Sequence, residues 1–449
     1  MNRFSATSLA ALLVALACTS VAPAVPSASP QPAPTDQPTA SAVPEPAAIR
    51  EVRAELERAP LGSASADAIA AVIGADAELA FGLYREFVAT ESGNLFFSPY
   101  SISTALSMTW AGARGDTAAE LAAALGVDID AADWHAGRNA IELQLAGERR
   151  TIEDFQPIEL EPTNTTFGQV GYPFIEEYLD TLAAYYGAGT NTVDFITQPE
   201  PARQEINEWV SERTRERIEE LLPKDAIDNL TRLVLVNAIY FKANWINQFV
   251  PESTRDGDFM LIDGARVTVP MMHGAPSTDY AAGDGWRAVR LLYAGDASML
   301  IIVPDEGRFT DVEEGLDADF VERVREELSN YQVDLSLPRW ESASEIDLQP
   351  ALKQLGVIDL FDSDEADLDG IAQPADNDLY VSAALHQANI TVDEEGTEAA
   401  AATAVVVGIT SGPPESVTLD IDRPFIYLIS DDLTGEILFV GRVLDPSGD

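Results

Sequence analysis

The chain has 449 residues, 46% of them hydrophobic and 23% charged, enough to bury a large core. Its 75 acidic side chains outnumber 27 basic ones, for a formal net charge of -48. Nothing on such a surface would neutralise phosphate or sulfate groups. Nucleic acid and glycosaminoglycans are therefore excluded as expected partners, and basic partners are favoured. One cysteine and three histidines are too few to suggest a transition-metal site, and no cofactor is expected.

The first residues read as an export signal. Arg3 supplies a positive start, and residues 9–17 form an apolar run too short to span a bilayer stably. The run ends in Ala15-Leu16-Ala17-Cys18, which resembles a bacterial lipobox. Cys18, the sole cysteine, would then be the lipidated first residue of the mature protein. Ordinary secretion, with cleavage after Ala22-Pro23-Ala24, is the competing reading. Either places the protein outside the cytoplasm: a membrane-anchored lipoprotein at the cell surface or in the periplasm, or a free extracellular protein. The expected organisation is a signal peptide at 1–17, a linker rich in Pro, Ala and Ser at 18–62, and one folded domain at 63–449. A segment of that composition stays extended and cannot build a core.

The folded part begins with helical spacing over 66–90, where Ile69, Val72, Ile73, Leu79, Phe81, Leu83, Phe87 and Val88 recur. Gly93 and Asn94 break it. Further helices are expected over 101–110, from 116, and over 174–186, 205–222 and 312–328, the last allowing a start after Gly315. Strand-like runs follow at 233–241, 287–293, 299–303, 332–337, 417–421, 425–430 and 437–443. Helices early and strands late indicate an α+β domain with largely antiparallel sheets.

One stretch stands apart. After Glu394 and Gly396 come Thr397, Glu398, Ala399, Ala400, Ala401, Ala402 and Thr403, then a β-branched run to Val407. Read as a strand, Thr397, Ala399, Ala401, Thr403, Val405 and Val407 share one face, and Glu398 falls on the other. The segment suits either an exposed loop or a buried strand, which makes it a candidate switch.

Several segments, in order, resemble the serpin family over residues 66–446. Asn94-Leu95-Phe96-Phe97-Ser98-Pro99-Tyr100-Ser101-Ile102 matches its opening signature, and Ile206-Asn207-Glu208-Trp209-Val210 a helix motif. Leu233-Val234-Leu235-Val236-Asn237-Ala238-Ile239-Tyr240-Phe241-Lys242, with Trp245, matches its central strand. Leu379-Tyr380-Val381-Ser382, His386 and Thr391-Val392-Asp393-Glu394-Glu395-Gly396 match the strand leading into the reactive loop. Arg423-Pro424-Phe425 and Phe439-Val440-Gly441-Arg442-Val443 match the C-terminal strands. Leu292 and Glu216 depart from the pattern, and neither is expected to touch the loop mechanism.

The resemblance implies a serpin fold of three mostly antiparallel sheets, eight to nine helices and an exposed reactive loop. It implies a monomeric suicide substrate of serine proteases rather than an enzyme; no Gly-x-Ser-x-Gly elbow is present. It casts Gly396 as hinge, and Ser98, Ser101, Asn237 and His386 as a buried shutter. Trp245 takes the place of the breach aromatic, where insertion begins. Counting places the scissile bond at Thr410-Ser411, with Ile409 or Val407 as alternatives if the register slips. Residues 397–414 hold no Lys or Arg. Elastase-like or subtilisin-like targets fit better than trypsin-like ones, and papain-like cysteine proteases stay open. The rival reading is a non-inhibitory relative serving as a binding module or chaperone.

Overall fold

The computed structural model describes residues 49–147, 149–150, 152, 155–373, 379–397 and 415–448. Among these lie nine α-helices: α1 (Ala66–Thr90), α2 (Pro99–Trp110), α3 (Gly115–Ala124), α4 (Ala131–Leu145), α5 (Glu176–Thr181), α6 (Pro199–Arg213), α7 (Phe309–Glu314), α8 (Ala318–Glu327) and α9 (Leu348–Gln354). The strands of the first half are β1 (Arg50–Val52), β2 (Leu95–Phe97), β3 (Glu159–Gln169), β4 (Thr190–Val193) and β5 (Leu233–Asn244). Then follow β6 (Arg255–Met260), β7 (Arg266–Gly274), β8 (Ser277–Gly283), β9 (Trp286–Leu292), β10 (Ala297–Pro304) and β11 (Ser329–Pro338). The last are β12 (Trp340–Asp347), β13 (Val381–Val392), β14 (Gly396–Thr397), β15 (Ser416–Asp420), β16 (Phe425–Asp431) and β17 (Ile437–Val443).

Seven strands form one sheet in the order β1-β4-β3-β5-β14-β13-β12. The other ten form a second network with two parts, joined because β11 pairs β8 over one half and β7 over the other. The fold is the expected α+β arrangement, and this shared strand links two of its sheets.

Strand β5 is buried on both faces, which explains its largely apolar sequence, interrupted within the buried part by Asn237. Leu233, Leu235, Ile239 and Phe241 enter the main core between the sheets. Val234, Val236 and Ala238 turn the other way, into a smaller core beneath α6 with Ile206 and Val210. Helix α1 starts where the Ser65 hydroxyl accepts from the Ala68 amide, and it buries Val72, Leu79, Phe81, Leu83 and Phe87.

Some boundaries differ from the sequence reading. The helix expected over 205–222 is α6, ending at Arg213, because Arg215 and Glu216 take left-handed backbone angles. The 312–328 segment divides at Gly315, and Asp317 caps the second piece. Strands β3 and β12 escaped notice because small polar residues occupy their inward positions, such as Thr163, Thr165, Ser342 and Ser344. Pro162 is tolerated inside β3 because at that level β5 is its paired neighbour and β4 joins only from Phe167.

Residues 49–62, read from sequence as the end of the linker, pack on the domain instead. Strand β1 pairs with the edge strand β4, and the Ala59 amide donates to Ala184 O at 2.8 Å. The Arg58 guanidinium reaches Asn139 Oδ1 at 2.8 Å and Glu142 Oε1 at 3.0 Å. Gly189 permits this approach, since a Cβ there would lie 2.5 Å from Val52 O. Arg58→Ala is expected to lower the unfolding free energy by about 1–2 kcal/mol in urea titrations, through loss of these bonds.

Candidate functional site

The chain leaves β13 through a tight turn built by Asp393. Its Oδ1 accepts from the amides of Glu395 and Gly396 at 2.8 and 3.2 Å. The chain then re-enters the sheet as β14. Gly396 lies opposite Asn244 and Thr397 opposite Ala243 on β5, while Thr397 also lies opposite Val392 on β13. Only glycine fits at 396, because a Cβ would sit 2.1 Å from Ala243 O and 2.7 Å from Asn244 Cα. Gly396 and Thr397, where the alanine-rich stretch begins, are thus already strand between β5 and β13.

Trp245 holds this turn from the end of β5. Its amide donates to Glu395 O at 2.8 Å and its indole N–H to Asp393 O at 3.0 Å. Its ring stacks on Tyr293, centroids 4.4 Å apart, and the Tyr293 hydroxyl meets Thr397 Oγ1 at 2.7 Å. Thr397 is almost wholly buried, and its side chain faces the main core. Glu394 is buried as well, with Arg339 Nη2 at 2.6 Å and the Thr254 hydroxyl on the same oxygen. Burial alone would raise its pKa, but these bonds outweigh burial and hold it below the ordinary value.

Lower in the sheet, Ser98, Ser101, Asn237 and His386 come together. Asn237 on β5 lies directly opposite His386 on β13 and Asn164 on β3. Asn237 Nδ2 donates to Ser101 Oγ at 2.9 Å and to Asn164 Oδ1 at 2.7 Å, and the Ser101 hydroxyl donates to Asn164 Oδ1 at 2.5 Å. The Ser98 amide donates to His386 Nε2 at 3.1 Å, and His386 Nδ1 bonds to Asn237 Oδ1. Nε2 must therefore be the acceptor, and Nδ1 carries the proton. Ser98 also caps α2, its hydroxyl accepting from the Ser101 amide. Helix α2 is thereby tied to three strands at one level.

Sequence reasoning did not name Asn164, Tyr293, Arg339 or Thr254 as members of these clusters. Asn164 lies in a polar run, Thr163-Asn164-Thr165-Thr166, with no apolar alternation to mark a strand. Tyr293 and Arg339 are distant in sequence from the turn residues, Thr397 and Glu394, that their side chains reach. Cys18, Glu398, Ala399, Ala400, Ala401, Ala402, Val407, Ile409, Thr410 and Ser411 lie outside the described residues. Among the described residues no cluster of His, Cys, Asp and Glu could hold a metal ion.

Burial depresses the His386 pKa to about 3, so the ring is neutral in the folded state. Unfolding restores a histidine that titrates near its ordinary value. This contribution to stability is therefore complete above about pH 6.5. It is lost as pH falls toward 3, by about 1.4 kcal/mol per unit. His386→Gln should be less stable than the parent at pH 7, and the difference should narrow between pH 6.5 and 4 in denaturant titrations.

Comparison with known proteins places this geometry. The profile of the family described as "Serpin (serine protease inhibitor)" matches residues 74–446. Leukocyte elastase inhibitor of Equus caballus is 38% identical over 383 residues, covering 83% of this chain and 98% of that protein. The native-state crystal structure of the thermophilic serpin tengpin superposes with a TM-score of 0.77 at 26% identity, covering 89% of this chain and all of that one. Thyroxine-binding globulin in complex with thyroxine gives a TM-score of 0.74 at 30% identity, covering 83% and 98%. With its signature segments, its parted sheet and this breadth of likeness, the chain belongs to the serpin family.

Proposed function

We propose that this protein inhibits serine proteases as a suicide substrate. The protease serine oxygen attacks the Thr410 carbonyl, the bond to Ser411 breaks, and the Ser411 nitrogen leaves as an amine carrying a proton from the protease. The Thr410 ester is then trapped as the freed loop enters the sheet between β5 and β13. The observation that carries this reading is the seating of Gly396–Thr397 between those strands. The following residues hold no proline and one charge before Val407, so continued entry buries nothing costly.

Small and aliphatic residues around Thr410, with Ile409 or Val407 as neighbouring alternatives, suit an elastase-like or subtilisin-like pocket, and a papain-like enzyme is a further candidate target. The similarity to leukocyte elastase inhibitor supports the first class. The fold also serves other ends, as thyroxine-binding globulin shows, so inhibition needs direct demonstration. We place the working protein outside the cytoplasm, as a monomer tethered through Cys18 or freely secreted after removal of the signal peptide.

Incubation with an elastase or a subtilisin should produce a covalent complex that survives denaturing electrophoresis, and its mass should locate the cleaved bond. Clean cleavage without a complex, across a broad protease panel, would defeat the proposal. Thr397→Arg should convert inhibitor to substrate, because a guanidinium would have to be buried beside Tyr293. Cleavage of the loop in the parent protein should raise its melting temperature; an unchanged value would argue against insertion.

A further inference from the structure

Strands β5 and β13 pair in parallel up to Ala238 and Gln387. Strand β14 separates them at Ala243 and Val392. Among the described residues, no pairing joins Ile239, Tyr240, Phe241 and Lys242 to Ala388, Asn389, Ile390 and Thr391. The two strands therefore form a fork, closed below and held apart at the top. A strand that continued β14 in the same register would enter this fork. Its third position beyond Thr397 would lie between Tyr240 and Asn389.

Both of those side chains are held from outside by one short segment. Arg215 sets its guanidinium over the Tyr240 ring at 5.1 Å on β5. It also pairs with Glu161 at 2.6 Å and with Glu159, both on β3. Two residues further on, Arg217 O accepts from Asn389 Nδ2 of β13 at 2.7 Å. Between them Arg215 and Glu216 have φ of +53° and +62°, left-handed angles at two consecutive residues that are not glycine. Glu216 was expected from sequence to be a local change without bearing on the loop. It lies instead in the segment that spans the arms of the fork.

We propose that residues 214–217 are an electrostatic clasp across the β5–β13 fork, and that its release governs how fast a strand enters the sheet. The ends of the clasp differ in kind. The β13 end is a hydrogen bond from Asn389 to a backbone carbonyl. The β3–β5 end is ionic, with Arg215 nearly half exposed at 47%, so dissolved salt reaches and weakens it. Entry of a strand is thereby coupled to ionic strength. The proposal rests on the inhibitor reading in one respect, that the entering strand is the chain's own loop.

The test uses the full-length protein and a synthetic peptide with the sequence of residues 397–408. Annealing of the peptide is followed as a time-dependent gain in thermal stability, at 0.05 and 1 M salt. Arg215→Ala, and separately Glu159→Gln with Glu161→Gln, should anneal several-fold faster than the parent at low salt. High salt should accelerate the parent and leave Arg215→Ala nearly unchanged. Asn389→Ala should likewise speed annealing at low salt and lose most of the salt response, because it frees the other end of the clasp. Equal rates for parent and Arg215→Ala, or no annealing by any variant, overturns the clasp. Covalent trapping of a protease by the parent is scored in parallel. Its failure defeats the inhibitor reading, whereas trapping with equal annealing rates defeats the clasp alone.

Discussion

Strands β5 and β13 are hydrogen-bonded neighbours as far as Ala238 and part beyond it, because Gly396–Thr397 occupies the space between Ala243 and Val392. A parallel pair that is forced apart at one end leaves backbone groups that seek new partners. Everything around the seam bears on where the parting stops. The Asn237–His386 contact closes it from below, in a plane shared with Asn164 and Ser101. Trp245 and Tyr293 hold it at the top by gripping the turn that feeds β14.

The polar cluster at the seam has a particular logic. At that level the backbone ladder between β5 and β13 is reinforced by side-chain hydrogen bonds that can re-pair, where apolar contacts would merely slide. A buried network of this sort is satisfied in a few discrete arrangements and costly between them. His386 is central because its neutral ring has one donor and one acceptor, the first used across the seam to Asn237 and the second taken by the Ser98 amide that starts α2. Protonation would leave two donors where the Ser98 amide needs an acceptor.

The acidic surplus bears on the sheet as well. Carboxylates are abundant on β3 and around α6, yet Arg215 draws Glu159 and Glu161 into one place and stacks on Tyr240. Glu394 is handled likewise by Arg339 and Thr254. In a chain of net charge -48, a few arginines carry much of the local organisation. Arginine suits the task because its planar fork serves two carboxylates and an aromatic face together.

Much of the fold was legible in sequence. Apolar periodicity marked α1 and the strands β5, β10, β16 and β17, since burial of a whole face leaves a repeating trace. The charge-poor face that begins at Thr397 was legible as a local pattern, whereas Gly396, Ser98, Ser101, Asn237 and His386 were singled out by the family resemblance. Other features left no such trace. Asn164 joins the buried polar cluster of Ser101 and Asn237 only because β3 pairs with β5 in one register. Residues 49–62 look like linker because, beyond Ile49 on the smaller core, the contacts that hold them are backbone and charge. Glu216 looks incidental until the chain's path lays it across the fork. Sequence by itself determined which segments could be strand or loop and where a backbone could bend, because those depend on neighbours along the chain. Tertiary structure alone decided which distant strands share a level, how far the seam is open, and what crosses it, because register is set by pairing across space.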